Sequence, residues 1–220
     1  MIFDVNIYRN QEIESTHKVL LTDLNSNKGF SLYLRSSFKP FQLLPFVTNK
    51  GLEKFGLDDS ALALFTSSHS GEQIHTGYLQ EILKDNSIDE EQLFCSPHWP
   101  LNEEYSRELA SAGKKPTKIH NNCSGKHTSM LLMCKLLGFN LEDYYSSSHD
   151  LQLFLFDYLS DIFNTKIQNI AIDGCGLPIP YLNSKNMVDA AEKLKKGKGK
   201  ESNAWNRIVN SMIKNPYLVA

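Results

Sequence analysis

Seven consecutive residues, Asn121-Asn122-Cys123-Ser124-Gly125-Lys126-His127, set a thiol, a hydroxyl, an amine and an imidazole around one glycine. Folding alone gives no reason to crowd such groups together. Three other segments share the character: Arg35-Ser36-Ser37-Phe38-Lys39-Pro40, Ser67-Ser68-His69-Ser70-Gly71-Glu72 and Asp173-Gly174-Cys175-Gly176-Leu177-Pro178. A chain that carries all four must fold so that four loops converge on one polar site. That requirement points to an enzyme.

The hydrophobic pattern places these loops. Residues 2–34 read as strands in an antiparallel meander, with Val5 and Ile7 alternating with polar neighbours and a turn at Asn25-Ser26-Asn27-Lys28-Gly29. Beyond it the apolar spacing turns helical at His75–Lys84, Tyr105–Ala112, Thr128–Leu137, Leu151–Phe163, Met187–Leu194 and Trp205–Ile213. Gly138 reads as a C-terminal stop. Ile167–Ile172 reads as a short buried strand feeding the turn at Asp173-Gly174, and Lys195–Ser202 as a solvated loop. Strands first and helices in runs predict an α+β fold, with no clear linker between domains.

Composition removes several classes. A chain of 220 residues can bury a sizeable core, and a net charge of -2 gives no electrostatic case for nucleic acid or an anionic membrane. No apolar run approaches the roughly 20 residues of a membrane helix. No basic segment and apolar core follow Met1, so no secretory signal is read and a cytoplasmic location is expected. Of the four cysteines, Cys134 sits in an apolar helical run as a small hydrophobe and Cys95 in a polar loop. Cys123 and Cys175 stand beside glycines and invite a functional reading.

Ser36-Ser37-Phe38-Lys39 has the form S-x-x-K, which puts both side chains on one face of a helical turn. A lysine whose pKa is lowered by burial can take the serine proton. Pro40 is tolerated only in a first turn, so a helix must begin near Ser36 or Ser37, and Pro45 marks a break. Alone, the motif is weak and reads first as a serine N-cap followed by a surface lysine. Ser68 or Ser70 reads as a helix cap with Glu72 in the first turn, a place that also presents hydroxyls to an anion. Cys123, Lys126 and Cys175 could hold a soft or borderline cation. Lysine is an unusual ligand and His127 a more ordinary one, and a thiol activated by a neighbouring base is the simpler alternative.

The ordered set R-S-x-x-K-P, S-H-S-G-E, P-H-W-P, H-N-N-C-S-G-K-H and D-G-C-G-L-P resembles the thermolabile, Rhizobium-type L-asparaginase II family, from about Val5 to the end of the chain. The resemblance implies hydrolysis of L-asparagine to L-aspartate and ammonia. It implies a serine β-lactamase/glutaminase-like fold, with an antiparallel sheet and a helical region, and a homodimer. It makes Ser36, Lys39 and Ser68 catalytic, with either serine able to attack. Arg35, His127 and Asp173 would surround the substrate, and Cys123, Lys126 and Cys175 would bind zinc.

The family pattern continues past Val219-Ala220 into a segment with a K-x-G-type strand. The expectation is therefore a single domain over residues 1–220, incomplete at the C-terminus and lacking C-terminal sheet strands. Ser129 stands where the family commonly has glycine. Two other readings compete with a working asparaginase. One is an inactive remnant, or one part of a split enzyme, that binds metal or an amino acid. The other is a β-lactamase or penicillin-binding relative, whose chemistry does not need the cysteine motifs.

Overall fold

The fold is seen in a computed structural model, which describes residues 2–9, 12–20 and 29–219. β1 (Ile2–Arg9) and β2 (Glu12–Leu20) pair antiparallel from Ile2 opposite Leu20 to Arg9 opposite Glu12, with a bulge at Ile7/Tyr8. β3 (Ser31–Tyr33), β4 (Ile170–Ile172) and β5 (Pro178–Asn183) form a second antiparallel sheet in the order β3-β5-β4. The meander is thus corrected: the third strand takes β5, far along the chain, as its partner. Leu32 stands opposite Leu182, and Tyr33 opposite Tyr181 with ring centroids 4.9 Å apart, an aromatic cross-strand pair that local alternation cannot announce. Of the turn expected over residues 25–29, all but Gly29 lies outside the described residues.

The helices follow the predicted periodicity. A 3-10 turn at Arg35–Phe38 leads into α1 (Lys39–Gln42), α2 (Leu44–Thr48), α3 (Gly51–Phe55) and α4 (Asp59–Thr66). Pro40 and Pro45 occupy the first turns of α1 and α2, where a missing N–H costs no helical bond. Then come α5 (Gln73–Asp85), α6 (Glu103–Ser111), α7 (Ser124–Leu137) and α8 (Asp150–Phe163). The last are α9 (Ser184–Lys196), α10 (Lys200–Lys214) and α11 (Pro216–Val219).

α7 is the axis of the core. Every residue from Ser124 to Cys134 is buried, as expected of a helix surrounded on all sides, and it packs against α2, α3, α4, α5 and α8. Gly138 closes it in the left-handed region. α8 buries Leu151, Leu155, Leu159 and Phe163 along one stripe.

Two boundaries differ from expectation. The solvated loop shrinks to Gly197–Gly199, because Lys200–Ser202 already begin α10 and Ser202 is buried. The strand before Asp173 covers only Ile170–Ile172, and Ile172 is 61% exposed, so it is an open sheet edge and not a buried strand. Among the described residues, no helix is long and apolar enough to cross a membrane.

Candidate active site

The S-x-x-K turn is oriented by its aromatic neighbours. Phe38 and Phe41 are buried, and the Phe41 ring lies 4.9 Å from that of Phe163 and 4.6 Å from that of Trp205. With those rings anchored, Ser36 is left exposed and Lys39 turns inward to 1% exposure. Lys39 Nζ donates to Ser68 Oγ at 3.0 Å and to the Ser67 carbonyl. Ser68 Oγ lies 2.9 Å from Ser36 Oγ. Lys39, Ser68 and Ser36 therefore form one hydrogen-bonded row, assembled from two loops. Burial lowers the Lys39 pKa, and the Lys126 charge pushes the same way, against the opposing pull of Cys123 and Cys175.

The capping expectation for the second loop does not hold. Glu72 itself occupies the N-cap of α5 without a side-chain cap bond, and Ser70 Oγ donates to Glu72 Oε1 at 2.5 Å. Ser68 is engaged by Lys39 and Ser36 instead. A hydroxyl offered a buried ammonium has a stronger partner than a backbone N–H.

The other loops surround this row. Asp173 takes Arg35 Nη2 at 3.4 Å and Lys126 Nζ at 3.9 Å; its side chain is 7% exposed, that of Lys126 2% and that of Arg35 73%. Arg35 holds a left-handed φ of 47°, uncommon for a residue with a side chain. Cys123 and Cys175 are buried free cysteines. The Cys123 thiol, followed by His127 and Lys126, holds Cys175 far below the usual thiol range, while Cys123 is pushed up. Burial lowers the His127 pKa although Cys175 favours its charged form. His127 Nε2 is nevertheless buried without a hydrogen bond of standard geometry.

Among the described residues, no group of three or more His, Cys, Asp or Glu side chains is arranged as a metal cage. The expected trio has lysine as one member. Two buried cysteine sulfurs and the buried Lys126 amine fit a soft or borderline cation by donor chemistry.

Several participants were not singled out from sequence. His98 in the P-H-W-P segment accepts the Asn122 N–H on Nε2 at 3.0 Å and donates from Nδ1 to the Trp99 carbonyl at 2.7 Å. Asn121 Nδ2 donates to the Ser96 carbonyl while its Oδ1 accepts the Cys123 N–H at 2.8 Å. The segment thus braces the cysteine loop, and Leu101 N–H donates to the Ser70 carbonyl at 2.7 Å to brace the serine loop. His69, fully buried, accepts the Gly71 N–H on Nδ1 and donates from Nε2 to Ser124 Oγ at 2.9 Å. Burial lowers its pKa to about 3. The spacing of His69 beside Gly71 was the available signal; nothing in the sequence linked it to Ser124.

All nine residues expected at the site lie on the four convergent segments, as a serine–lysine row beside a thiol cluster and an Arg–Asp–Lys ion network. The arrangement sets two hydroxyls and a buried amine next to charged groups. The family model of L-asparaginase II matches residues 5–220, and the chain belongs to that family. No curated protein matches it.

Proposed function

We propose that the chain is an amidohydrolase that converts L-asparagine to L-aspartate and ammonia. The observation that carries this reading is the row Lys39 Nζ, Ser68 Oγ, Ser36 Oγ, at 3.0 and 2.9 Å. Ser36, exposed at the end of the row, attacks the side-chain amide carbon. Its proton passes to Ser68 Oγ, and the Ser68 proton to Lys39 Nζ, whose burial favours the neutral amine. The C–N bond breaks, the leaving nitrogen takes the proton back from the row, and ammonia departs. Water then attacks the acyl-enzyme ester through the same row.

Arg35 suits the substrate α-carboxylate and Asp173 its α-ammonium, with His127 lining the floor. Cys123, Lys126 and Cys175 would hold a zinc ion, which supplies positive charge beside the substrate when bound. The helical region set against small antiparallel sheets supports a serine β-lactamase/glutaminase-like architecture. Family membership also underlies the expectation of a homodimer.

The test is ammonia release from L-asparagine by the purified protein beside Ser36→Ala. Release that falls by about a hundredfold or more in the variant supports the reading. Equal release from both, or none from the folded wild type, refutes it.

A further inference from the structure

We infer that Tyr144 is a positioning residue of the site: its hydroxyl fixes His127 in the tautomer that carries its proton on Nε2. Tyr144 lies between α7 and α8 and is 1% exposed. Its oxygen accepts the Phe94 N–H at 3.0 Å and lies 2.6 Å from His127 Nδ1, the two rings meeting edge-on at 77°. A phenol has one proton to give. With the Phe94 N–H on its oxygen, that proton goes to His127 Nδ1. The reverse arrangement would bury the phenol proton with no acceptor, which is costly. Nδ1 is then bare and Nε2 protonated. Nε2 is the buried atom left without a partner. Burial raises the Tyr144 pKa, which keeps the hydroxyl a donor.

A second set of contacts ties the same segment to the same site. The Tyr145 ring stacks on Phe94 at 3.4 Å. The Phe94 ring in turn covers Gly176, where a Cβ would lie 2.6 Å from Phe94 Cδ1 and where φ is +91°. Gly176 follows Cys175. The tyrosine pair thus sets the His127 ring through one contact and the Cys175 loop through another. Gln152 Nε2 donates to the Tyr144 carbonyl at 2.8 Å and holds the segment in place.

The catalytic consequence rests on the proposed amidase reading; the tautomer does not. The experiment is two-bond 1H–15N correlation NMR of 15N-histidine-labelled wild type, Tyr144→Phe and the core control Ile208→Val, with ammonia release from L-asparagine measured on each. Wild type is expected to show His127 protonated on Nε2 and bare on Nδ1. Tyr144→Phe is expected to lose that signature and to drop kcat about tenfold with KM within about twofold, as loss of an outer partner does. Ile208→Val keeps both. A wild-type His127 protonated on Nδ1 overturns the inference, and decides it even if Tyr144→Phe does not fold. So does a folded Tyr144→Phe with the wild-type signature and kcat. Wild type that releases no ammonia yet shows the Nε2 proton refutes the amidase reading and leaves the Tyr144 assignment standing.

Discussion

Gly71 sits where the serine loop meets the two loops that brace it, and its replacement by alanine is a demanding test. A Cβ there would lie 2.7 Å from the His120 carbonyl oxygen and 3.2 Å from Pro100 Cα, with φ at +79°. Carbon–oxygen contacts normally begin near ~3.3 Å, so backbone must retreat from backbone by roughly 0.6 Å. The left-handed conformation costs alanine about 1–2 kcal/mol, and overpacking against atoms that cannot swivel about 1–3 kcal/mol. Reduced freedom of the unfolded chain offsets about 0.4–1 kcal/mol. The net loss is roughly 2–4 kcal/mol, and at about 2–4 °C per kcal/mol for a chain of this size the melting point falls by about 10 °C. Ser68 is three residues away, so the displacement also lowers ammonia release, by about tenfold to a hundredfold. Gly77→Ala is the counterpart. It lies inside α5, its Cβ would meet only the flexible end of Gln73 at 3.2 Å, and it stabilises by about 0.5–1 kcal/mol. Far-UV circular dichroism melts and ammonia release on both variants decide the matter. Gly71→Ala melting within about 1 °C of wild type with full activity would refute the reasoning.

Lys39→Met removes the base of the row and lowers ammonia release by at least about a hundredfold, while removal of a buried charge leaves the melting point within a few degrees. In wild type the lowered Lys39 pKa makes kcat/KM rise with pH as the amine loses its proton; a flat profile would count against the base assignment. His69 is held neutral in the fold, from an ordinary 6.5 down to about 3. Its contribution is present above 6.5 and is lost as pH falls toward 3, at up to about 1.4 kcal/mol per unit. Urea melts of wild type and His69→Asn should converge as pH drops through that window. Asp58 caps α4 through the Ser60 and Ala61 N–H groups and accepts the Tyr78 hydroxyl at 2.6 Å. Asp58→Ala should therefore lower stability by about 1–2 kcal/mol in denaturant titrations, without changing kcat.

Most of the helical frame was legible because periodicity is local. α5, α7, α8 and α10 each announce a buried stripe or run, and Gly138 announces an end. The partner of β3 was not legible: Tyr33 and Tyr181 meet across some 150 intervening residues, and alternation gives a strand's faces but not its neighbour. Lys195–Ser202 looked solvated because Lys and Gly dominate it, yet Ser202 is buried in the first turn of α10 while the lysines around it stay exposed. At the site, side-chain types and glycines marked the four loops. Ser68 was read first as a cap because a backbone donor is the nearest partner a sequence offers; its actual partner, Lys39, comes from another loop. Tyr144, His98 and the His69–Ser124 bond were missed for the same reason. Each acts through a contact between segments, whose partner the residues beside it do not announce.

The central claim is that Ser36 forms the covalent bond to the substrate, with Ser68 and Lys39 moving its proton. Its most direct test is mass spectrometry of protein acid-quenched during L-asparagine turnover, followed by peptide mapping. The account predicts an aspartyl ester on the peptide that carries Ser36, absent from Ser36→Ala. An ester on Ser68 with Ser36 unmodified, or turnover that leaves no serine modified and persists in Ser36→Ala, would contradict it.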